Sequence, residues 1–235
     1  MEIASFERID HQNAATVTDH NRTGVVLAGG YSNRFDGGDK ALAEIDGTPM
    51  LAHVADQLSA VVDNLVVSCR TDQQADFDRT LSELDLEVPV RFALDPDPGR
   101  GPLAGIAHSF EEIESTYTAV AACDMPFVDP TFIDFLFDQA VGHDAAVPQI
   151  DDGHRQPVQA VYHMDRMATV AGQRLAADDL SLHGALSELD TLTISARTVS
   201  EHTTWQSLQN FNTRAAFDRL TGEKNRLIGE PDDDC

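Results

Sequence analysis

Gly24-Val25-Val26-Leu27-Ala28-Gly29-Gly30-Tyr31-Ser32-Asn33-Arg34-Phe35-Asp36-Gly37-Gly38-Asp39-Lys40-Ala41-Leu42 joins a short apolar run to a glycine pair and a polar loop. Val25 to Ala28 has the unbroken apolar character of a strand buried on both faces, as in the middle of a parallel sheet. Gly29 and Gly30 let the backbone come close to a ligand, at the strand end where open α/β sheets bind one. Exposed N–H groups in such a loop can cradle phosphate oxygens. Arg34 adds a planar fork and Lys40 a compact point charge, a pair suited to a polyphosphate. Only Lys40 and Lys224 among the 16 basic residues are lysines, so a lysine here stands out against a composition that otherwise uses arginine. Ala41 follows Lys40, which excludes GxxxxGK[ST], and no GxGxxG follows the strand, so neither a P-loop nor a dinucleotide fingerprint is present. The plainer alternative is a glycine-rich turn with incidental cations.

Outward from this loop, apolar runs alternate with helical patterns. Strands are expected at 23–28, 64–68, 88–94 and 118–122, with helices at 48–60, 73–84 and 103–112 between them. That order predicts a mostly parallel sheet covered by helices on both faces. Further along, a helix is expected at 130–140, strands at 145–148 and 158–162, and a helix at 164–176. A strand at 192–199 and a helix at 213–219 complete the pattern. There is no internal repeat or long linker, so residues 23–222 read as one domain. Residues 1–22 read as a loosely ordered extension and 223–235 as a flexible tail.

The chain has 235 residues, ample for a sizeable core, with 40 acidic against 16 basic side chains and a net charge of −24. Nucleic acid requires a basic footprint and anionic membranes repel such a surface, so both are excluded as partners. Twenty-eight of the acids are aspartates spread along the chain, the pattern of a halophilic surface whose self-repulsion is screened at molar salt. Three widely spaced cysteines, Cys69, Cys123 and Cys235, suit a reducing cytoplasm rather than a disulfide framework. No apolar run reaches the ~20 residues of a membrane span.

Two further strand ends carry carboxylates. In Asp95-Pro96-Asp97-Pro98-Gly99-Arg100-Gly101-Pro102, Asp95 could accept hydrogen bonds from a ribose or base, or could simply cap a turn. Gly101-Pro102 fits a turn into a helix with proline at its first position. In Ala121-Ala122-Cys123-Asp124-Met125-Pro126, Asp124 follows an apolar strand and is the candidate Mg²⁺ ligand, since Mg²⁺ is held by one or two carboxylates plus phosphate oxygens. Capping of the next turn is its alternative role. Cys123 reads as a small buried hydrophobe. No HExxH or GxSxG motif is present, which leaves zinc hydrolysis and serine nucleophiles without support.

The pattern LAGGxSxRF-x(3)-DKAL resembles the signature of nucleotidyltransferases that activate small phosphorylated compounds with an NTP, and most closely that of the molybdenum cofactor guanylyltransferases. Asp46-Gly47-Thr48-Pro49-Met50, Asp95 with Gly101-Pro102-Leu103-Ala104-Gly105, Cys123-Asp124-Met125-Pro126 and Asn210-Phe211-Asn212-Thr213 follow in that family's order. The resemblance implies a Rossmann-like three-layer α/β sandwich of nucleotidyltransferase type. It implies transfer of GMP from Mg-GTP to molybdopterin, with Mg²⁺ as cofactor and room for molybdoenzyme-assembly proteins as partners. It assigns catalysis to Arg34, Lys40 and Asp124, and the nucleotide to Leu27, Ala28, Gly29, Gly30, Ser32, Lys40, Ser68, Asp95, Gly101 and Asp124. The acceptor falls to Arg155, Asn210 and Asn212, although Asn212 could be a plain N-cap and Arg155 could pair with a surface aspartate. Ser68 stands where the family carries an asparagine, and a hydroxyl keeps one hydrogen bond but not an amide's pair. That leaves CTP, or a sugar-phosphate acceptor, as the alternative. A non-catalytic nucleotide-binding assembly protein is the reading from a different class.

Overall fold

The computed structural model describes residues 21–31, 38–150 and 153–211. Residues 1–20 of the expected extension, the expected helix at 213–219 and the tail, along with Ser32, Arg34 and Asn212, lie outside the described residues. A sheet of seven strands is built from β1 (Thr23–Leu27), β4 (Asn64–Cys69), β5 (Val90–Leu94), β6 (Tyr117–Ala122), β7 (Ala145–Pro148), β8 (Gln159–His163) and β9 (Thr191–Ile194). Their order across the sheet is β5-β4-β1-β6-β8-β7-β9. All pairings are parallel except those of β8, which runs against both β6 and β7.

Burial on both sides makes the first strand apolar throughout. Val26 packs into the cluster containing Leu51, Val54, Phe77 and Leu136, whereas Val25 packs into the one containing Leu103, Ile106, Met167 and Leu182. The first cluster is covered by α1 (Met50–Ser59), α2 (Gln74–Ser82), α4 (Pro130–Ala140) and α7 (Ala196–His202). The second is covered by α3 (Pro102–Phe110), α5 (Met164–Ala176) and α6 (Leu182–Leu186). This is the expected three-layer arrangement. Each fully buried Val or Leu contributes roughly 1.5–3 kcal/mol, so the sheet is fixed from both faces and its strand ends are held as a rigid edge.

Two expectations need correction. The strand expected over 192–199 stops at Ile194, and residues 196–202 are α7. Ser195 is the reason: its side chain accepts the Thr198 N–H and caps the helix, which overrides the β-branched run. The helix expected from Thr48 begins at Met50 instead. Thr48–Pro49 (β3) pairs antiparallel with Glu44–Ile45 (β2) around Asp46 and Gly47, with φ of 54° and 82°, the positive-φ pair that a two-residue hairpin demands.

Candidate active site

β1, β4, β5 and β6 are neighbours running in one direction, so their carboxyl ends meet at one edge. A cleft of about 490 Å³ opens there. Leu27, Ala28, Gly29, Gly30, Lys40, Ser68, Asp95, Gly101, Asp124 and Asn210, all singled out from the sequence, line it. Arg155 does not line it; it forms a β-bridge with Gln149 in the connection between β7 and β8. Tyr31, Asp39, Gly99, Gly105 and Val158 line the cleft without having been anticipated.

Lys40 opens a 3-10 turn, Lys40–Leu42, whose N-cap is Asp39. The turn carries Lys40 Nζ to 2.7 Å from Asp124 Oδ2. Asp124 follows β6, is almost wholly buried and is held by its backbone, since its carbonyl accepts the Phe211 N–H at 2.8 Å. Phe211 stands edge-on to Phe127 and packs with Ile45 and Met50, which brings Asn210 to the cleft wall. Asp95, also buried, follows β5, and its Oδ1 accepts the Asp97 N–H at 2.9 Å. Asp97 pairs with Arg100 at 3.7 Å on the outside.

The second motif reaches the cleft through glycine geometry. Gly101 has φ 79° and ψ −177°, and Pro102 opens α3 directly after it. Gly105, one turn into α3, lies under β1 and β4: a Cβ there would come within 3.1 Å of Ser68 Oγ and 3.3 Å of Leu27 Cδ2. Ser68 Oγ lies 3.5 Å from the Gly105 carbonyl. Its hydroxyl thus faces the α3 backbone at the cleft floor.

The thiols here are inert. Burial pushes Cys123 up to about 12, with the neighbouring Asp124 charge acting in the same direction. Burial likewise raises Cys69 to about 12, partly opposed by Arg70. Neither serves as a thiolate near neutral pH.

The donor set fits Mg²⁺. Among the described residues no cluster of three His, Cys, Asp or Glu side chains could hold a metal. Mg²⁺ does not need one, because it keeps waters and binds through one or two carboxylates plus phosphates. Lys40 meets Oδ2 of Asp124, and among the described residues no donor meets Oδ1, the oxygen left for such a cation.

A mostly parallel sheet with a glycine loop, a lysine and an aspartate converging at its carboxyl edge is the arrangement expected of a nucleotidyltransferase. The chain belongs to the MobA-like NTP transferase family, whose model matches residues 24–191. It is 40% identical over 198 residues to a protein of Natronomonas pharaonis named a probable molybdenum cofactor guanylyltransferase, covering 84% of this chain and 96% of that one. Identity to a protein of the same name from Haloferax mediterranei is 35% over 195 residues, 83% of this chain and 90% of that one. Among solved structures, molybdopterin-guanine dinucleotide biosynthesis protein A from Archaeoglobus fulgidus superposes with a TM-score of 0.70 at 23% identity, over 87% of this chain and 99% of that one, a likeness of fold. No helix among the described residues is long and apolar enough to cross a membrane.

Proposed function

We propose that this enzyme transfers GMP from Mg-GTP to the terminal phosphate of molybdopterin. A terminal phosphate oxygen of the pterin attacks Pα and forms a new P–O bond. The bond from Pα to the β-bridging oxygen breaks, and that oxygen leaves with its electron pair on pyrophosphate. No covalent enzyme intermediate is needed. The observation that carries this reading is the Lys40–Asp124 pair at 2.7 Å, set in one cleft beside Gly29 and Gly30. The names of the two relatives support the guanylyl donor and the pterin acceptor.

In this scheme the N–H groups of the glycine loop receive phosphate oxygens, and Lys40 Nζ turns from Asp124 toward the developing charge. The family's motif assigns Arg34 and Ser32 to the same phosphates. Asp95 accepts from the nucleoside, Ser68 and Gly101 border its pocket, and Asn210 meets the acceptor. Asp124 would hold Mg²⁺, which when bound withdraws charge from the phosphates and makes Pα more electrophilic. Molybdoenzyme-assembly proteins would take the product.

Incubation with GTP, Mg²⁺ and molybdopterin should release one pyrophosphate per dinucleotide formed, and GTP with Mg²⁺ should raise the melting temperature more than ATP, CTP or UTP. If no NTP stabilises the protein, the reading fails. Ser68, where the family carries an asparagine, keeps one hydrogen bond but not an amide's pair and so leaves CTP as a second reading, which the same comparison of four NTPs decides. Binding of GTP without pyrophosphate release would instead select a non-catalytic assembly role.

A further inference from the structure

A trans peptide unit is planar, so each carbonyl points away from the N–H of the following residue. In the glycine loop three successive carbonyls are tied back on one side. Gln73 Nε2 donates to the Ala28 carbonyl at 3.1 Å, while one Arg70 nitrogen, Nη1, donates to the Gly29 carbonyl at 3.3 Å and the Gly30 carbonyl at 2.7 Å. The N–H groups of Gly29, Gly30 and Tyr31 therefore point the opposite way, and among the described residues none of them meets an acceptor. Gly29, Gly30 and Tyr31 line the cleft, whereas Arg70 and Gln73 do not. The row of donors is thus aimed into the cleft by side chains standing behind it.

We propose that Arg70 and Gln73 are positioning residues that preset this row of N–H groups as a polyphosphate cradle. The proposal rests on the reading of the cleft as a triphosphate site. Gln73 is its hub and is only 3% exposed. Its Oε1 accepts the Arg70 N–H at 2.9 Å, and its Nε2 also donates to Asp39. Asp39 in turn accepts the Ala41 N–H at 3.0 Å and so fixes the turn that begins at Lys40. One buried amide therefore sets both the donor row and the base of the catalytic lysine.

Arg70 is spent on scaffolding rather than on ligand. Its Nε and Nη2 grip Asp72 at 3.0 and 3.1 Å, and its guanidinium lies 4.9 Å from the centre of the Tyr31 ring. Two adjacent glycines would otherwise leave the loop free to rotate its peptide planes. A loop held in place spends no binding energy on ordering when the anion arrives.

Gln73→Leu keeps the volume but removes both donors; Arg70→Lys keeps the charge but cannot serve two carbonyls and Asp72 together. Calorimetry with Mg-tripolyphosphate should show about 10- to 100-fold weaker binding in either variant, the effect of one or two lost loop contacts. The ranking of NTPs should be unchanged, since the base is not touched, and kcat for pyrophosphate release should fall with tripolyphosphate affinity. A second measurement needs no variant: on adding tripolyphosphate to the native protein, the amide proton signals of Gly29, Gly30 and Tyr31 should move downfield. Unmoved signals, equal affinity in native protein and variants, or no tripolyphosphate binding by the native protein each overturn the proposal. Native protein that binds tripolyphosphate, loses it in the variants and yet is stabilised by no NTP would retain the cradle and sink the nucleotide reading.

Discussion

Removing Lys40 tests whether the lysine and Asp124 form one unit. Lys40→Met keeps a similar length of apolar stem and deletes the charge, leaving the Asp124 carboxylate without the ammonium at 2.7 Å. Breaking a fully buried pair on one side costs about 3–5 kcal/mol, because the remaining charge stays desolvated. The side chains of Lys40 and Asp124 are 18% and 9% exposed, which places this pair near the lower bound, at about 3 kcal/mol. For a domain of this size 1 kcal/mol shifts the melting temperature by about 2–4 °C, so Lys40→Met should melt roughly 6–12 °C lower. Asp124→Asn alone should also destabilise. In the double variant, however, neither charge is stranded, so its loss should fall short of the sum by about 2 kcal/mol, within the coupling seen for contacting residues. Calorimetric or urea unfolding of the four proteins without nucleotide gives the cycle. Additive losses, or a Lys40→Met protein as stable as the native one, would refute the pairing. All three variants should turn over at least 100-fold more slowly, the scale of removing one preorganised charge contact.

Gly101→Ala places a side chain at φ 79° and ψ −177°, a region only glycine occupies comfortably; it should cost about 1–3 kcal/mol by urea titration although a Cβ there meets nothing within 4 Å. Gly105→Ala should destabilise the fold by about 1–2 kcal/mol through overpacking, read by urea unfolding, and raise KM for the nucleotide, because its Cβ would stand 3.1 Å from Ser68 Oγ; an unchanged KM would separate Ser68 from the nucleotide. In a Cys235→Ser background, native protein should take up no iodoacetamide at pH 8, since burial holds Cys69 and Cys123 at about 12, and labelling should appear only in denaturant. Burial works to raise the Asp144 carboxyl, but hydrogen bonds from the Asp190 N–H and Arg166 outweigh it and hold the group below its usual range. That contribution is complete above the unfolded carboxyl value and is lost as pH falls through the folded one. The stability gap between native protein and Asp144→Asn should therefore close in acid, and a gap that persists there would exclude Asp144 as the source.

The half of the fold that holds the cleft was legible because its strands are buried on both faces and so read as apolar runs. Val25–Val26, Leu65–Val67 and Ala119–Ala121 all fall on pairing positions in neighbouring strands. Glycine spacing and strand-end carboxylates then located the cleft. The misreadings share a cause. Ser195 caps α7, and Asp46-Gly47 turns a hairpin; in both places one residue's local hydrogen bonding or backbone freedom decides what an apolar pattern leaves open. Arg70 and Gln73 were invisible because an arginine and a glutamine after a strand are ordinary in sequence; only the carbonyls they reach, 40 or more residues earlier, set them apart. The antiparallel direction of β8 also carries no sequence signal, since a buried strand reads the same either way.

That reversed strand has a consequence for how the enzyme can diversify. A parallel strand reaches this edge only after a crossover containing a helix, and the crossover must keep its length to cover the sheet. β8 instead presents its first residues there: the Val158 carbonyl accepts the Ala122 N–H at 2.9 Å, and Val158 borders the cleft. In the connection that precedes it, Gln149 and Arg155 form a β-bridge. Surface connections tolerate insertion and exchange better than the elements they join, but this one is tied down where Ile150 and Val158 pack on the core and Gln156 Nε2 donates to the Leu208 carbonyl at 3.2 Å. Among the described residues, a change in this connection therefore reaches the cleft through Val158 alone, while Gly29, Gly30, Lys40 and Asp124 are placed by other elements.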